Sequence, residues 1–225
     1  MSNKKTIIGS GLAGPLLAIL LAKRGYSVDL FEKRADLRLE RVSAGRSINL
    51  ALSHRGIEAL KSASVFEMVE PLLIPMKGRM IHQKNGELDF QPYSMNAEEY
   101  INSVSRSELN KILITAAEDT GKVNIHFSHA LSSIQDNQLE FENSHKVEIE
   151  NEIIGADGSG SVVRKYIDSN CDLPSTSKPL GHAYKELTIA PGKNGDFQID
   201  SNSLHIWPRG QFMLIGLPNT DRSFT

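Results

Sequence analysis

Cysteine is nearly missing: Cys171 is the single one in 225 residues. One thiol can build neither an internal disulfide framework nor a Cys-rich metal site, and it fits a reducing compartment, so the cytoplasm is the expected location. No helix start or basic cluster can be read near it, so a reactive thiolate is not expected. Long apolar runs are missing too. The most apolar stretch, Leu16 to Ala22, falls far short of the roughly 20 residues that span a bilayer. Neither charge predominates: 25 Lys and Arg face 27 Asp and Glu, a net charge of -2. That balance offers no basic face for nucleic acid or an anionic membrane. Seven histidines are scattered, and only His126 and His129 are close. On a strand and its exit these two would not face one metal, so packed or solvated side chains are expected. What is present is an ordinary globular composition, 40% hydrophobic and 23% charged, long enough for one large domain or one and a half. Small-molecule chemistry is the default.

The start Met-Ser-Asn-Lys-Lys imitates the charged end of a signal peptide, but the glycines that follow obey another rule. Lys5 to Ile8 predicts a strand, Gly9-Ser10-Gly11-Leu12-Ala13-Gly14 a turn, and Pro15 to Arg24 a helix closed by Gly25. Val28 to Phe31 predicts a second strand, with Glu32 at its end. This is GxGxxG in its proper context. Gly9 makes the turn, Gly11 lets a pyrophosphate approach the backbone, and Gly14 lets helix and strand pack closely. The helix start offers unpaired N–H groups and a positive dipole end to the phosphates. Glu32 can accept from ribose hydroxyls and disfavours a 2′-phosphate, which selects FAD or NAD over NADP at this site.

Beyond Glu32 the strict strand-helix alternation of an NAD dehydrogenase stops. Ile48 to Leu52 predicts a brief strand, and Ser53 an N-cap for a helix through Lys61. Met76 to Gln83 and Glu87 to Phe90, around Lys84-Asn85-Gly86, predict a hairpin, since Asn-Gly is the two-residue turn signal. Ser105-Arg106-Ser107-Glu108 is a capping box that opens a helix ending at Thr120-Gly121. Strands follow at Val123 to Phe127, around Leu139 to Phe141 and at Lys146 to Ile149. The run Ile153-Ile154-Gly155-Ala156-Asp157-Gly158 ends an apolar strand on a carboxylate, where α/β sheets bind ligands, or where an Asp simply caps the next helix.

The GxGxxG turn with Glu32, the helix start Ser105-Arg106 and the strand end Gly155-Ala156-Asp157-Gly158 resemble the class A flavoprotein aromatic hydroxylases, relatives of p-hydroxybenzoate hydroxylase. The stretches GRSINLALSHRGIEAL, RMIH, PY, SVSRSELNK, LHIWPR and LPN…SFT look like the kynurenine-hydroxylating members of that family. The resemblance implies an α/β fold: a Rossmann-like FAD-binding domain with a parallel sheet, carrying an inserted, mostly antiparallel substrate sheet. The domains are expected at 1–75 with 100–170 and at 76–99 with 171–225. It also implies FAD and NADPH as cofactors, and O₂ and L-kynurenine as substrates of a ring hydroxylation in tryptophan degradation. The flavin carries the chemistry, so no catalytic residue is assigned.

Carried over by position, Gly9, Gly11, Ala13 and Gly14 would hold the pyrophosphate. Phe31, Glu32, Lys33 and Arg34 would surround the adenosine, and Ala51, Arg106, Leu131 and Asp157 would lie on the FAD. The stretch Arg46 to Leu52 would form a wall between flavin and substrate. Arg79 and Tyr93 would grip the amino-acid carboxylate, a pairing that also makes chemical sense, because a guanidinium fork matches a carboxylate. A hydroxylase for another aromatic acid and a non-catalytic dinucleotide module stay open. The family's later Gly-Asp strand end with a following helix is not found, since Gly195-Asp196 lies in a polar loop. The chain is therefore expected to be an amino-terminal fragment, without a membrane segment and inactive alone.

Overall fold

The structure is a computed structural model, and it describes residues 3–39, 48–171 and 175–225. The chain opens with β1 (Lys4–Ile8), α1 (Ala13–Lys23) and β2 (Ser27–Phe31). Next come β3 (Asn49–Leu52), α2 (His54–Ser62), α3 (Phe66–Val69), β4 (Ile74–Met76), β5 (Gly78–His82), β6 (Leu88–Pro92) and β7 (Ile101–Ser105). Then follow α4 (Arg106–Asp119), β8 (Val123–His126), β9 (Leu131–Gln135), β10 (Gln138–Phe141), β11 (Lys146–Glu148), β12 (Ile153–Gly155) and α5 (Val162–Asn170). Last are β13 (Ser203–Arg209) and β14 (Phe212–Gly216). Among the described residues no helix is long and apolar enough to cross a membrane.

Two compact units emerge, Met1–Arg41 with Asn110–Ala183 and Val42–Leu109 with Tyr184–Thr225. These edges differ from the expected 1–75 with 100–170. The reason lies in β7, the central strand of an antiparallel sheet β3-β7-β4. Its ladders tie residues 49–52 and 101–105 to β4, so all three strands go with the second unit.

The first unit is built on a parallel sheet in the order β12-β1-β2-β8. Ile7, Ile8, Leu30 and Phe31 are all buried, as expected for parallel strands covered on both faces. An antiparallel sheet β11-β10-β9 supplies Ile134, Leu139 and Phe141, which form one core cluster with Ile8, Phe31 and Val163. Strand β9 has no counterpart in the sequence reading. Its hairpin to β10 turns on Asp136 and Asn137, both at positive φ, as a two-residue type I′ turn requires. The expected Asn85-Gly86 turn is a different one. Only Gly86 there has positive φ, and Gln83 and Glu87 flank a three-residue loop, so it is a type I turn ending in a left-handed glycine. Both hairpin strands are present, in the register Arg79↔Gln91 and His82↔Leu88.

The sheet β14-β13-β5-β6 of the second unit is antiparallel except where β13 runs parallel to β5. The α/β class with one parallel and several antiparallel sheets is as expected.

Two glycines decide how β1 meets α1. Gly9 has φ +105°, and a Cβ there would overlap the Ala156 carbonyl. A Cβ on Gly14 would overlap the Gly9 carbonyl oxygen. Backbone, not a flexible side chain, stands in the way, so Gly14→Ala should destabilise the protein by about 3 kcal/mol. Urea unfolding of the variant beside the parent checks this, and a loss under about 1 kcal/mol would mean the contact relaxes freely.

Candidate functional site

The turn between β1 and α1 is held from several sides. Gly9 N–H donates to the Phe31 carbonyl at 2.7 Å, and Ala156 N–H donates to the Ile8 carbonyl at 2.7 Å. Ser10 N–H donates to Glu32 Oε2 at 2.8 Å. Helix α1 then starts behind Leu12 with no side-chain cap and no acidic residue in its first turn. Its first N–H groups have no partner within a helix. A Cβ on Gly11 would meet nothing within 4 Å, and the Ser10 hydroxyl is buried without a hydrogen-bond partner. An open glycine face, an orphaned hydroxyl and an uncapped positive helix end together fit a dinucleotide pyrophosphate. Ala13 and Gly14 form the first turn of that helix.

Glu32 is 5% exposed. Its Oε1 accepts from Arg34 N–H at 3.0 Å and from Arg34 Nε at 2.7 Å. Burial alone pushes the carboxyl up, but the Arg34 side chain and the N–H groups of Arg34 and Ser10 outweigh it and hold the group below its ordinary value. Arg34 is half exposed, so the ion pair itself contributes little and the buried bond to Ser10 matters more.

The remaining expected flavin-side residues divide. Lys33 and Arg34 are exposed beside Glu32, and Leu131 starts β9 and packs on the core cluster. Phe31 is a core residue, with its ring stacked on His126 at 4.5 Å and packed on Phe141. Only its backbone faces the turn. His126 and His129 are packed histidines, edge to face at 5.8 Å. Asp157 has both oxygens engaged at the start of α5: Oδ1 accepts from Ser161 Oγ at 2.6 Å and Oδ2 from Val162 N–H at 2.7 Å. Of its two sequence readings, the helix-capping one describes these bonds. Ala51 and Arg106 are exposed residues of the second unit, and Arg46 lies outside the described residues.

Sequence reasoning missed Asn110. It is 5% exposed, and its Nδ2 donates to the carbonyls of Ser10 at 3.1 Å and Gly11 at 3.2 Å. The signal was available: with Leu113, Ile114 and Ala117 it forms one buried helix stripe, in which it is the polar member.

In the second unit the Arg79 guanidinium sits over the Tyr93 ring, 5.2 Å from its centre. The Tyr93 hydroxyl is buried without a partner, and burial raises its pKa against the opposing effect of Arg79. Arg79 is exposed on β5 and stands in register with Gln91 on one side and Leu204 on the other. The alternation of strands puts Ile81, Ile206, Ile215 and Met213 on that same face. Ile215 and Met213 are half exposed or more. These apolar residues were not read from the sequence either; their every-second-residue spacing was the available signal. Tyr93 also borders a cavity of about 820 Å³ with Ile57, Phe66, Leu73 and Ile101.

The chain matches the model of the FAD binding domain family over residues 4–187 and belongs to that family. Kynurenine 3-monooxygenase of Myxococcus xanthus is 46% identical over 98% of this chain and 49% of its own length. That of Anopheles gambiae is 41% identical over 97% of this chain and 46% of its own. The chain thus spans about half the length of the curated relatives it matches. Among solved structures, the tetrameric form of 2-methyl-3-hydroxypyridine-5-carboxylic acid oxygenase superposes with a TM-score of 0.72 at 18% identity, covering 99% of this chain and 57% of that one. Pseudomonas aeruginosa PqsL in complex with 2-aminobenzoylacetate also gives 0.72 at 18%, covering 96% and 57%. At such identity these neighbours share the fold.

A depressed folded-state pKa means that Glu32 contributes stability fully above its unfolded value of about 4.3 and loses it as the pH falls through the lower folded value. Glu32→Gln should therefore cost about 1–3 kcal/mol at pH 7, and the gap to the parent in urea unfolding should close below about pH 4. A gap of constant size would show that the charge does not hold the turn.

Proposed function

We propose that the protein serves the FAD-dependent hydroxylation of L-kynurenine at the ring carbon ortho to its amino group, consuming NADPH, a proton and O₂ and yielding 3-hydroxykynurenine, NADP⁺ and water. The observation that carries this reading is the buried Tyr93 hydroxyl, whose O–H finds no acceptor, on a ring covered by the Arg79 guanidinium. A buried donor left unpaired costs free energy, and a ligand carboxylate would satisfy it. Arg79 would hold that carboxylate by charge-assisted hydrogen bonds. Tyr93 is a protonated donor at neutral pH, as an ordinary phenol is, and burial pushes its pKa further up. The apolar side chains on the Arg79 face, Leu204, Ile206, Met213 and Ile215, suit an aromatic ring attached to that amino acid. The names of the relatives support kynurenine as the particular amino acid.

In the first unit Gly9, Gly11, Ala13 and Gly14 would hold the FAD pyrophosphate, with Glu32, Lys33 and Arg34 along the adenosine. Leu131, Ala51, Arg106 and Asp157 are kept as flavin-side residues by family resemblance. Bound flavin, once reduced by NADPH, supplies the activation of O₂. The protein contributes binding, orientation and exclusion of water, and needs no acid-base pair of its own. The single cysteine fits a cytoplasmic setting.

The protein as its gene encodes it should purify yellow and oxidise NADPH faster when kynurenine is added. A colourless preparation without that stimulation sinks the proposal. Arg79→Ala should raise the KM for kynurenine roughly 10- to 100-fold, the size of a charged hydrogen bond, and Tyr93→Phe roughly fivefold, with flavin content unchanged in both. An unchanged KM in Arg79→Ala would remove Arg79 from the substrate site.

A further inference from the structure

We propose that Asn110 is a positioning residue for dinucleotide binding, one that fixes the direction in which the glycine turn presents its N–H groups. The inference rests on the FAD reading above. Its basis is a clamp on one residue. Ser10 gives its N–H to Glu32 Oε2 at 2.8 Å, while its carbonyl and that of Gly11 both accept from Asn110 Nδ2, at 3.1 and 3.2 Å.

A trans peptide is planar, with C=O and N–H pointing in opposite directions. A Ser10 carbonyl held toward Asn110 therefore turns the Gly11 N–H away from Asn110. The Gly11 carbonyl does the same for the Leu12 N–H. These two groups lead into the first turn of α1, where a pyrophosphate would be received.

The turn needs such an outside restraint because of what makes it useful. Gly11 has no side chain and meets nothing within 4 Å of where a Cβ would stand. The openness that admits a phosphate leaves nothing local to stop the peptide from flipping. A fully buried neighbour, Ser10, still has a hydroxyl without a partner, so the turn keeps a hydrogen-bonding vacancy after Asn110 and Glu32 have bound its backbone.

The position of Asn110 is costly for the fold alone. It interrupts the buried stripe of Leu113, Ile114 and Ala117 with an amide, which must be hydrogen-bonded to be tolerated there. Packing against Leu113, Ile114 and Ala117 calls for no amide there, whereas the carbonyls of Ser10 and Gly11 would lose their donor without one. The amide is explained by the two carbonyls it binds.

The test uses apoprotein of the parent, Asn110→Asp and Asn110→Ser, each made from the gene as encoded. Aspartate keeps the shape but sets a carboxylate against two carbonyl oxygens, and serine is too short to bridge both. FAD dissociation constants come from flavin fluorescence quenching, folding from thermal melts, and local order from deuterium exchange of peptides covering the glycine turn and β2. We expect the dissociation constant to rise at least tenfold in Asn110→Asp and about fivefold in Asn110→Ser. Exchange should speed up in the turn peptide and stay unchanged in β2. Dissociation constants within twofold of the parent overturn the inference, as does exchange that speeds up equally in both peptides. Failure of both variants to fold overturns it too, since Asn110 would then serve the core. A parent that binds no FAD overturns the function proposed above together with this inference, whereas a parent that binds while the variants match it overturns this inference alone.

Discussion

Where β1 gives way to α1, the backbone of Gly14 lies against the carbonyl oxygen of Gly9, too close for any side chain to intervene. What the first unit offers a ligand depends on that approach. It aims the start of α1 at the end of β1. Because β1 runs between β12 and β2 in the sheet, the same turn is met by the ends of two other strands. Ala156 arrives from β12 and Glu32 from β2. A looser turn would separate the helix end from Glu32 and from Asn110 at once, and the glycine loop would be merely mobile.

Among its described residues the unit contains two strand-to-helix turns, and their polar groups are disposed in opposite ways. At the start of α5, Asp157 accepts from the Ser161 hydroxyl and the Val162 N–H, and Ser161 in turn accepts from Arg164 N–H at 2.9 Å. That helix end is closed by its own side chains. At the start of α1 no side chain caps the helix and no acidic residue sits in the first turn. Glu32, an acceptor beside the turn, is bound to Ser10 and Arg34 instead. Two helix ends of similar origin thus differ in whether the chain completes its own hydrogen bonding, although open glycines precede both, Gly11 at the first and Gly158 and Gly160 at the second. This contrast separates a ligand-receiving end from a structural one more sharply than glycine content does.

The sequence announced the first turn because its constraints are local. Gly14 must be glycine because of Gly9, five residues away, Gly9 itself takes a positive φ, and the flanking strand, helix and Glu32 fall at fixed offsets. The same holds for the β5–β6 hairpin, although Gly86 alone takes the left-handed conformation and the turn type differs from the expected one. Reading by pattern failed where partners are distant. Asn110 looks like an ordinary polar helix residue until its carbonyl partners, 99 and 100 positions away, are known. Phe31 borders the adenosine region in sequence, yet β8 and β10 bury its ring under His126 and Phe141. Strand β9 carries two serines in five residues and gives little apolar alternation to detect. The edges of the two compact units differ from the expected ones for a related reason, since the pairing of β7 with both β3 and β4 cannot be seen along the chain.

The second unit shows what long-range register adds to chemistry. Arg79 and Tyr93 are close in sequence and would supply the polar half of the proposed recognition site, one cation and one neutral donor. The apolar half comes from β13, which lies parallel to β5 and sets Leu204 beside Arg79. Strand β14 then extends the face with Ile215 opposite Ile206 and Met213 opposite Pro208. A solvated surface arginine needs none of this, and a solvated tyrosine would not keep its hydroxyl both buried and unpaired. Native structures rarely retain such a group without use. With a guanidinium over its ring, on a unit whose apolar side chains Met213 and Ile215 remain exposed, it suits the proposed ligand with an anionic end and a flat apolar body better than a small inorganic anion.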